Sequence, residues 1–144
     1  MGRRAAREMA MKLLYQFEIR KEPIEGQVED FLARHRFKKE NLEYITDVLY
    51  GVHRNKEKID RAIEKYSKGW KLSRISKVDL SILRLAIYEI VFRDDIPLNV
   101  SINEAVELAK NYSGEESGAF VNGILGRFQK NSPLPVGSKE NEEN

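Results

Sequence analysis

The sequence contains no cysteine, which excludes a disulfide scaffold, thiol catalysis and a cysteine zinc site. That absence fits a reducing compartment. There are two histidines, His35 and His53, and neither has an acidic partner at metal-ligand spacing, so no metal is expected. No apolar run approaches the ~18 residues of a membrane span. The opening Met-Gly-Arg-Arg-Ala-Ala-Arg has no apolar stretch behind its charges, so no secretory signal is expected. Neither common Gly-rich phosphate loop occurs. Gly114, Gly118, Gly123 and Gly126 are spread through a helical pattern and read as close-packing positions. The pairs Asp94-Asp95 and Glu115-Glu116 fall in expected turns and read as solvated rather than as an acid–base couple. What remains is a cytoplasmic, soluble globular protein with no enzyme signature and no cofactor.

Hydrophobic residues make up 41% of the 144, enough for one domain with a real core. Their spacing is helical throughout. Ala6, Met9, Ala10, Leu13, Leu14 and Phe17 form one face of a helix over 3–20, closed by Pro23 and Gly26. A shorter helix is expected near 27–36. Asn41 is placed to cap the next, with Leu42, Ile45, Val48, Leu49 and Val52 inward; Gly51 permits close packing. The pattern continues or bends near 54–57 and runs on through Ile59, Ala62, Ile63 and Tyr66. Ser67, Gly69 and Trp70 make a break. Residues 77–93 are apolar around most of their circumference and predict a central buried helix. Three capping-box patterns are expected to start helices: Ser76 with Asp79, Ser101 with Glu104, and Ser113 with Glu116. The last helix spans about 115–130. No period-2 run is long enough for a strand. The fold class is therefore all-α, with six or seven helices in two packed halves, about 1–66 and about 70–131. These form a single domain over 1–131, and 132–144 read as a disordered tail.

The net charge of +2 hides a pattern. Residues 1–12 carry Arg3, Arg4, Arg7 and Lys12 against Glu8. Residues 54–77 carry nine bases and three acids, and residues 89–116 two bases and seven acids. A basic end and an acidic face suggest a partner contact on each. A solvated mixed-charge surface accounts for the same counts. Cations in the first turn of a helix oppose its dipole, and a polyanion would offset that cost through phosphate contacts. Arg3 and Arg7 share a helix face, with Arg4 alongside. Tyr15 lies near the side of Lys12 and offers a stacking surface to an unpaired base. An ordinary basic N-terminus with Tyr15 in the core fits these residues as well.

Three blocks stand in one order along the chain. The first is Arg3-Arg4-Ala5-Ala6-Arg7-Glu8, with an apolar helix through Leu14-Tyr15. The second is Leu83-Arg84-Leu85-Ala86-Ile87-Tyr88-Glu89, then Asp95-Ile96-Pro97. The third is Ile102-Asn103-Glu104-Ala105-Val106-Glu107-Leu108-Ala109-Lys110, then Ser117-Gly118-Ala119-Phe120-Val121-Asn122-Gly123-Ile124-Leu125. Together they resemble the NusB family of bacterial transcription antitermination factors over residues 3 to about 128. The Phe-Val-Asn-Gly core of the last block is the most specific part.

The resemblance implies an all-α fold of two helical halves and no enzymatic activity. It implies binding of the boxA element of nascent, mainly ribosomal, RNA together with the ribosomal protein NusE, within an antitermination complex on RNA polymerase. By the same resemblance, RNA contacts fall on Arg3, Arg4, Arg7, Lys12 and Tyr15, and on Glu116, Ser117 and Phe120 at a later helix start. Ala5 stands where some members carry a further arginine. The NusE contacts fall on Asp79, Arg84 and Tyr88. Read from the residues alone, Asp79 equally serves its helix cap, and Arg84 and Tyr88 equally serve the fold. NusB-like domains also precede RNA cytosine methyltransferases, but no strand and glycine-loop segment of that kind occurs here, so a stand-alone factor is expected. A protein–protein adaptor or homodimer is the third reading.

Overall fold

The apolar stretch over residues 77–93 becomes the axis on which the other helices pack. In the computed structural model, which describes residues 2–131, seven α-helices follow one another: α1 (Arg3–Ile19), α2 (Ile24–Arg34), α3 (Lys39–Arg54), α4 (Lys56–Tyr66), α5 (Lys77–Phe92), α6 (Leu98–Ser113) and α7 (Glu115–Asn131). A single 3-10 turn, Leu72–Arg74, precedes α5. No strand occurs among the described residues. The fold is all-α. The expected tail lies outside the described residues.

Helix α5 touches α1, α3, α4, α6 and α7, which is why it needs apolar side chains around nearly its whole circumference. One hydrophobic cluster draws on all seven α-helices; Met11, Tyr44, Ile63, Leu83, Ile87 and Phe128 are among its most buried members. Close approach of α3 to α5 depends on Gly51. A Cβ there would lie 2.2 Å from the Tyr88 ring.

Helix starts differ from the expected ones in four places, three of them here and the fourth at Asn41 below. Helix α2 starts at Ile24 rather than near residue 27, with Pro23 as its N-cap. Pro23 is already extended at φ −56° and Gly26 lies within the first turn, so neither merely closes α1. Helix α6 starts at Leu98 behind Pro97, one turn before the expected Ser101. Proline fixes φ and needs no N–H partner, so it opens a helix where Ser and Glu suggest a later start. Ser101 is instead buried, and its hydroxyl donates to Glu89 at 2.8 Å. Ser113 is the last residue of α6, and Gly114 breaks the chain at φ +101°, a left-handed geometry that glycine adopts without a Cβ clash. Only the Ser76 cap stands as expected, accepting from the Asp79 N–H at 3.1 Å.

The expected bend near 54–57 is a break at Asn55. Its side-chain amide donates to the Gly51 carbonyl at 2.8 Å, ending α3 before α4 begins. Asn41 lies inside α3 rather than at its cap and accepts from Arg3. Leu42 is 38% exposed, because the inward face of α3 runs through Asn41, Tyr44, Ile45 and Val48.

Candidate nucleic-acid interface

The helical repeat sorts the N-terminal cations onto two faces of α1. Arg3 and Arg7, four residues apart, turn inward. Arg7 is only 3% exposed, and its guanidinium donates to both carboxylate oxygens of Glu89, at 2.8 and 3.3 Å. Glu89 is fully buried and also accepts from the hydroxyls of Tyr44 and Ser101. Arg3 donates to Asn41 at 3.1 Å and lies 4.3 Å from the centre of the Tyr44 ring, a cation–π distance. Burial and Glu89 together push the Tyr44 hydroxyl well above the usual tyrosine range, so it stays a donor. Arg7 thus fixes the angle of α1 against α5.

Arg4, Glu8, Lys12 and Tyr15 line the outer face, at helical spacings of four, four and three. The Arg4 side chain is 81% exposed and still reaches Glu104 on α6, with contacts of 3.0 and 2.8 Å. Lys12 is exposed, its ammonium 6.0 Å from the ring centre of Tyr112 on α6. Tyr112 itself is 42% exposed, and its hydroxyl donates to Glu8. Tyr15 is 38% exposed, not in the core. The cations at the start of α1 are therefore partly opposed by carboxylates. Glu89 and Glu104 of the acidic segment serve α1 itself, and Asp95 serves Arg93 at 2.8 Å.

The second expected region lies at the start of α7. Glu116 is exposed and Ser117 half-buried. The Ser117 hydroxyl donates to the Asp79 carboxylate at 3.1 Å. Phe120 packs edge-on against Trp70, ring centres 5.6 Å apart. The structure thus joins Asp79 to Ser117, two residues expected in different sites. Helix α6 lies between the two regions, tied to α1 by the Arg4–Glu104 pair and packed along α7.

Asp79, Arg84 and Tyr88 are all buried. Arg84 donates to Asp60 through two nitrogens, at 2.8 and 2.9 Å, and to Glu18 at 2.8 Å. It binds α5 to α4 and α1 together. Burial works against the Glu18 charge, but Arg84 and Lys56 outweigh it and hold the carboxyl below its ordinary value. The Tyr88 hydroxyl donates to Asp47 at 2.8 Å; burial and Asp47 push it upward. Burial raises the Asp79 carboxyl despite the hydrogen bond from Ser117. Sequence reasoning missed Tyr112 and Trp70 at the surface. An aromatic just before the Gly114 break, and a tryptophan among lysines, were the available signals.

Seven packed helices, one of them carrying the exposed side chains of Arg4, Lys12 and Tyr15 beside Tyr112 of α6, define an all-α protein of the helical-bundle class. No group of His, Cys, Asp and Glu fit to hold a metal ion occurs among the described residues. No helix among them is long and apolar enough to cross a membrane. The chain belongs to the NusB family, whose model matches residues 4–130. It is 61% identical to the transcription antitermination protein NusB of Acetivibrio thermocellus over 143 residues, 99% of each chain. It is 52% identical to that of Ruminiclostridium cellulolyticum, covering 99% of this chain and 97% of the relative. Its fold matches NusB of T. maritima with a TM-score of 0.87 and 39% identity, over 99% and 98% of the two chains. A crystal structure of the antitermination factors NusB and NusE in complex with dsRNA matches with a TM-score of 0.80 and 29% identity, over 89% and 96%. Transcription antitermination is the function of this family, and of this chain as a member.

Proposed function

We propose that the chain acts in antitermination by binding boxA RNA of nascent ribosomal transcripts together with NusE, joining through that pair a complex on RNA polymerase. The observation that carries this reading is the outer face of α1, where Arg4, Lys12 and Tyr15 stand exposed beside Tyr112 of α6. Exposed cations hold phosphates and release counterions, while tyrosine rings stack on unpaired bases. A structural relative holding NusE and dsRNA supports the same assignment. Within it, Arg4, Lys12 and Tyr15 touch RNA directly, and Arg3 reaches it from its half-buried place beside Tyr44. Arg7 acts as a positioning residue that sets α1. Glu116, Ser117 and Phe120 form the second RNA-proximal region.

NusE binds on the C-terminal half. Asp79, Arg84 and Tyr88 underlie its edge, where α5 meets α1, α3 and α4: Arg84 holds Glu18 and Asp60, Tyr88 holds Asp47, and Asp79 ties the edge to Ser117 of the RNA-proximal region. The protein is a cytoplasmic, non-catalytic factor and needs no cofactor. The test is fluorescence anisotropy with labelled boxA RNA and a scrambled control, with and without NusE, at two salt concentrations. Sequence-selective binding that tightens with NusE and falls with salt is expected. Equal, weak binding of both RNAs would reduce the α1 face to a general polyanion patch and overturn the reading. Light scattering on the same samples reports whether a homodimer competes for this face, in which case RNA dissociates it.

A further inference from the structure

Residues 65–78 contain five cations and no acid, with Lys65, Lys68, Lys71, Arg74 and Lys77 at every third position. All five are exposed, and none forms a salt bridge among the described residues. Trp70 sits in their midst, 51% exposed. A half-exposed indole leaves a large apolar ring face to water, and the loop that carries it is held by hydrogen bonds. The Ser67 hydroxyl, on a residue 1% exposed, lies 2.9 Å from the Glu64 carbonyl and 2.6 Å from that of Trp70. The Leu72 N–H donates to the Glu64 carboxylate at 2.9 Å. Lys68, at φ +52°, is the one described non-glycine residue in the left-handed region, and Gly69 follows at +91°. The left-handed residues end α4, and the hydrogen bonds hold the loop that follows in one conformation. Lys68, Gly69, Trp70, Lys71 and Arg74 line an open depression of about 370 Å³. One edge of the indole meets Phe120, ring planes at 64°, so the depression continues the surface of the α7 start.

We infer that residues 67–74 form a further contact for single-stranded RNA, in which Trp70 stacks an unpaired base and Lys68, Lys71 and Arg74 hold the adjacent phosphates. The contact rests on the RNA reading above and extends it, taking nucleotides that flank the boxA element beyond Phe120. An aromatic platform ringed by cations is the arrangement that single-stranded nucleic acid requires, because every base has a stacking face and every linkage a charge. An acidic protein segment would use the cations but not the exposed ring face, and it becomes an outcome of the test.

Trp70 is the only tryptophan in the sequence, so intrinsic fluorescence reports this loop alone. The full chain is titrated with boxA RNA carrying unpaired flanks and with the bare element, reading both indole emission and the anisotropy of labelled RNA. The flanked RNA should quench Trp70 and shield it from iodide. Trp70→Ala should weaken the flanked RNA about fivefold or more and leave the bare element unchanged, while Trp70→Phe retains most of the affinity. Circular dichroism checks that the helices persist. If Trp70→Ala does not fold, the charge-removing triple of Lys68→Gln, Lys71→Gln and Arg74→Gln makes the same comparison. RNA bound by anisotropy with unchanged Trp70 emission and unchanged variant affinity overturns this inference and leaves the α1 face intact. Quenching by NusE alone assigns the loop to a protein and overturns it too. Failure of both RNAs to bind overturns both readings.

Discussion

Glu89 has no exposed surface, yet Arg7, Tyr44 and Ser101 all direct hydrogen bonds to it. Removing one partner of a buried ion pair leaves an uncompensated charge, at about 3–5 kcal/mol. Glu89→Ala and Arg7→Ala should each lower the unfolding free energy by that order in a urea titration. Loss of less than about 1 kcal/mol would mean the pair is dispensable. Arg4→Ala, by contrast, should leave the unfolding midpoint where it is. The same reasoning makes Arg84 structural, since it answers two carboxylates, Asp60 and Glu18.

Glu18 also gives a pH signature. Its folded value lies below the ordinary 4.5, so it binds fewer protons folded than unfolded near that pH. Its contribution to stability is present above 4.5 and lost as pH falls through the lower folded value. Asp79 has the opposite sign. Its folded value is raised above 3.8, so its contribution is present below 3.8 and lost as pH rises through the folded value. Stability measured from pH 6 downward should therefore fall less steeply in Glu18→Gln than in the parent. Identical slopes would remove the Arg84–Glu18 pair as the cause.

Among the elements, α3 and α5 approach closely at one point, because Gly51 lets the Tyr88 ring lie on the α3 backbone. Gly51→Ala should force these helices apart and destabilise by about 1–3 kcal/mol, as overpacking does, despite the better helix propensity of alanine. A stabilised variant would show that Tyr88 can swing away freely. The helices themselves were legible in the sequence, because apolar spacing of three and four is a local signal. Their starts were less so. Ser101 with Glu104 has the form of a cap, but tertiary contact with Glu89 claims its hydroxyl, and Pro97 opens the helix a turn earlier.

At the scale of the whole molecule, the arginine cluster was legible as a cluster but not as two faces. The carboxylates that decide which arginine turns inward lie 82 and 100 positions along the chain, and no local pattern carries that distance. Trp70 was hidden for the same reason: whether a tryptophan in a loop is covered depends on how α7 packs beside it. Because α5 touches helices of both halves, the two halves should unfold in one cooperative transition, with circular dichroism and tyrosine fluorescence superimposing. Two separated transitions would make them independent units.

The exposed face of α1 is central, and the salt dependence of boxA binding tests it most directly. Each phosphate contact on a single strand contributes about 0.7 to the slope of log affinity against log salt. Arg4→Ala and Lys12→Ala should each flatten that slope by about one such contact and weaken boxA binding without changing stability. A slope that stays the same in both variants, with affinity intact, would contradict the assignment of RNA to this face.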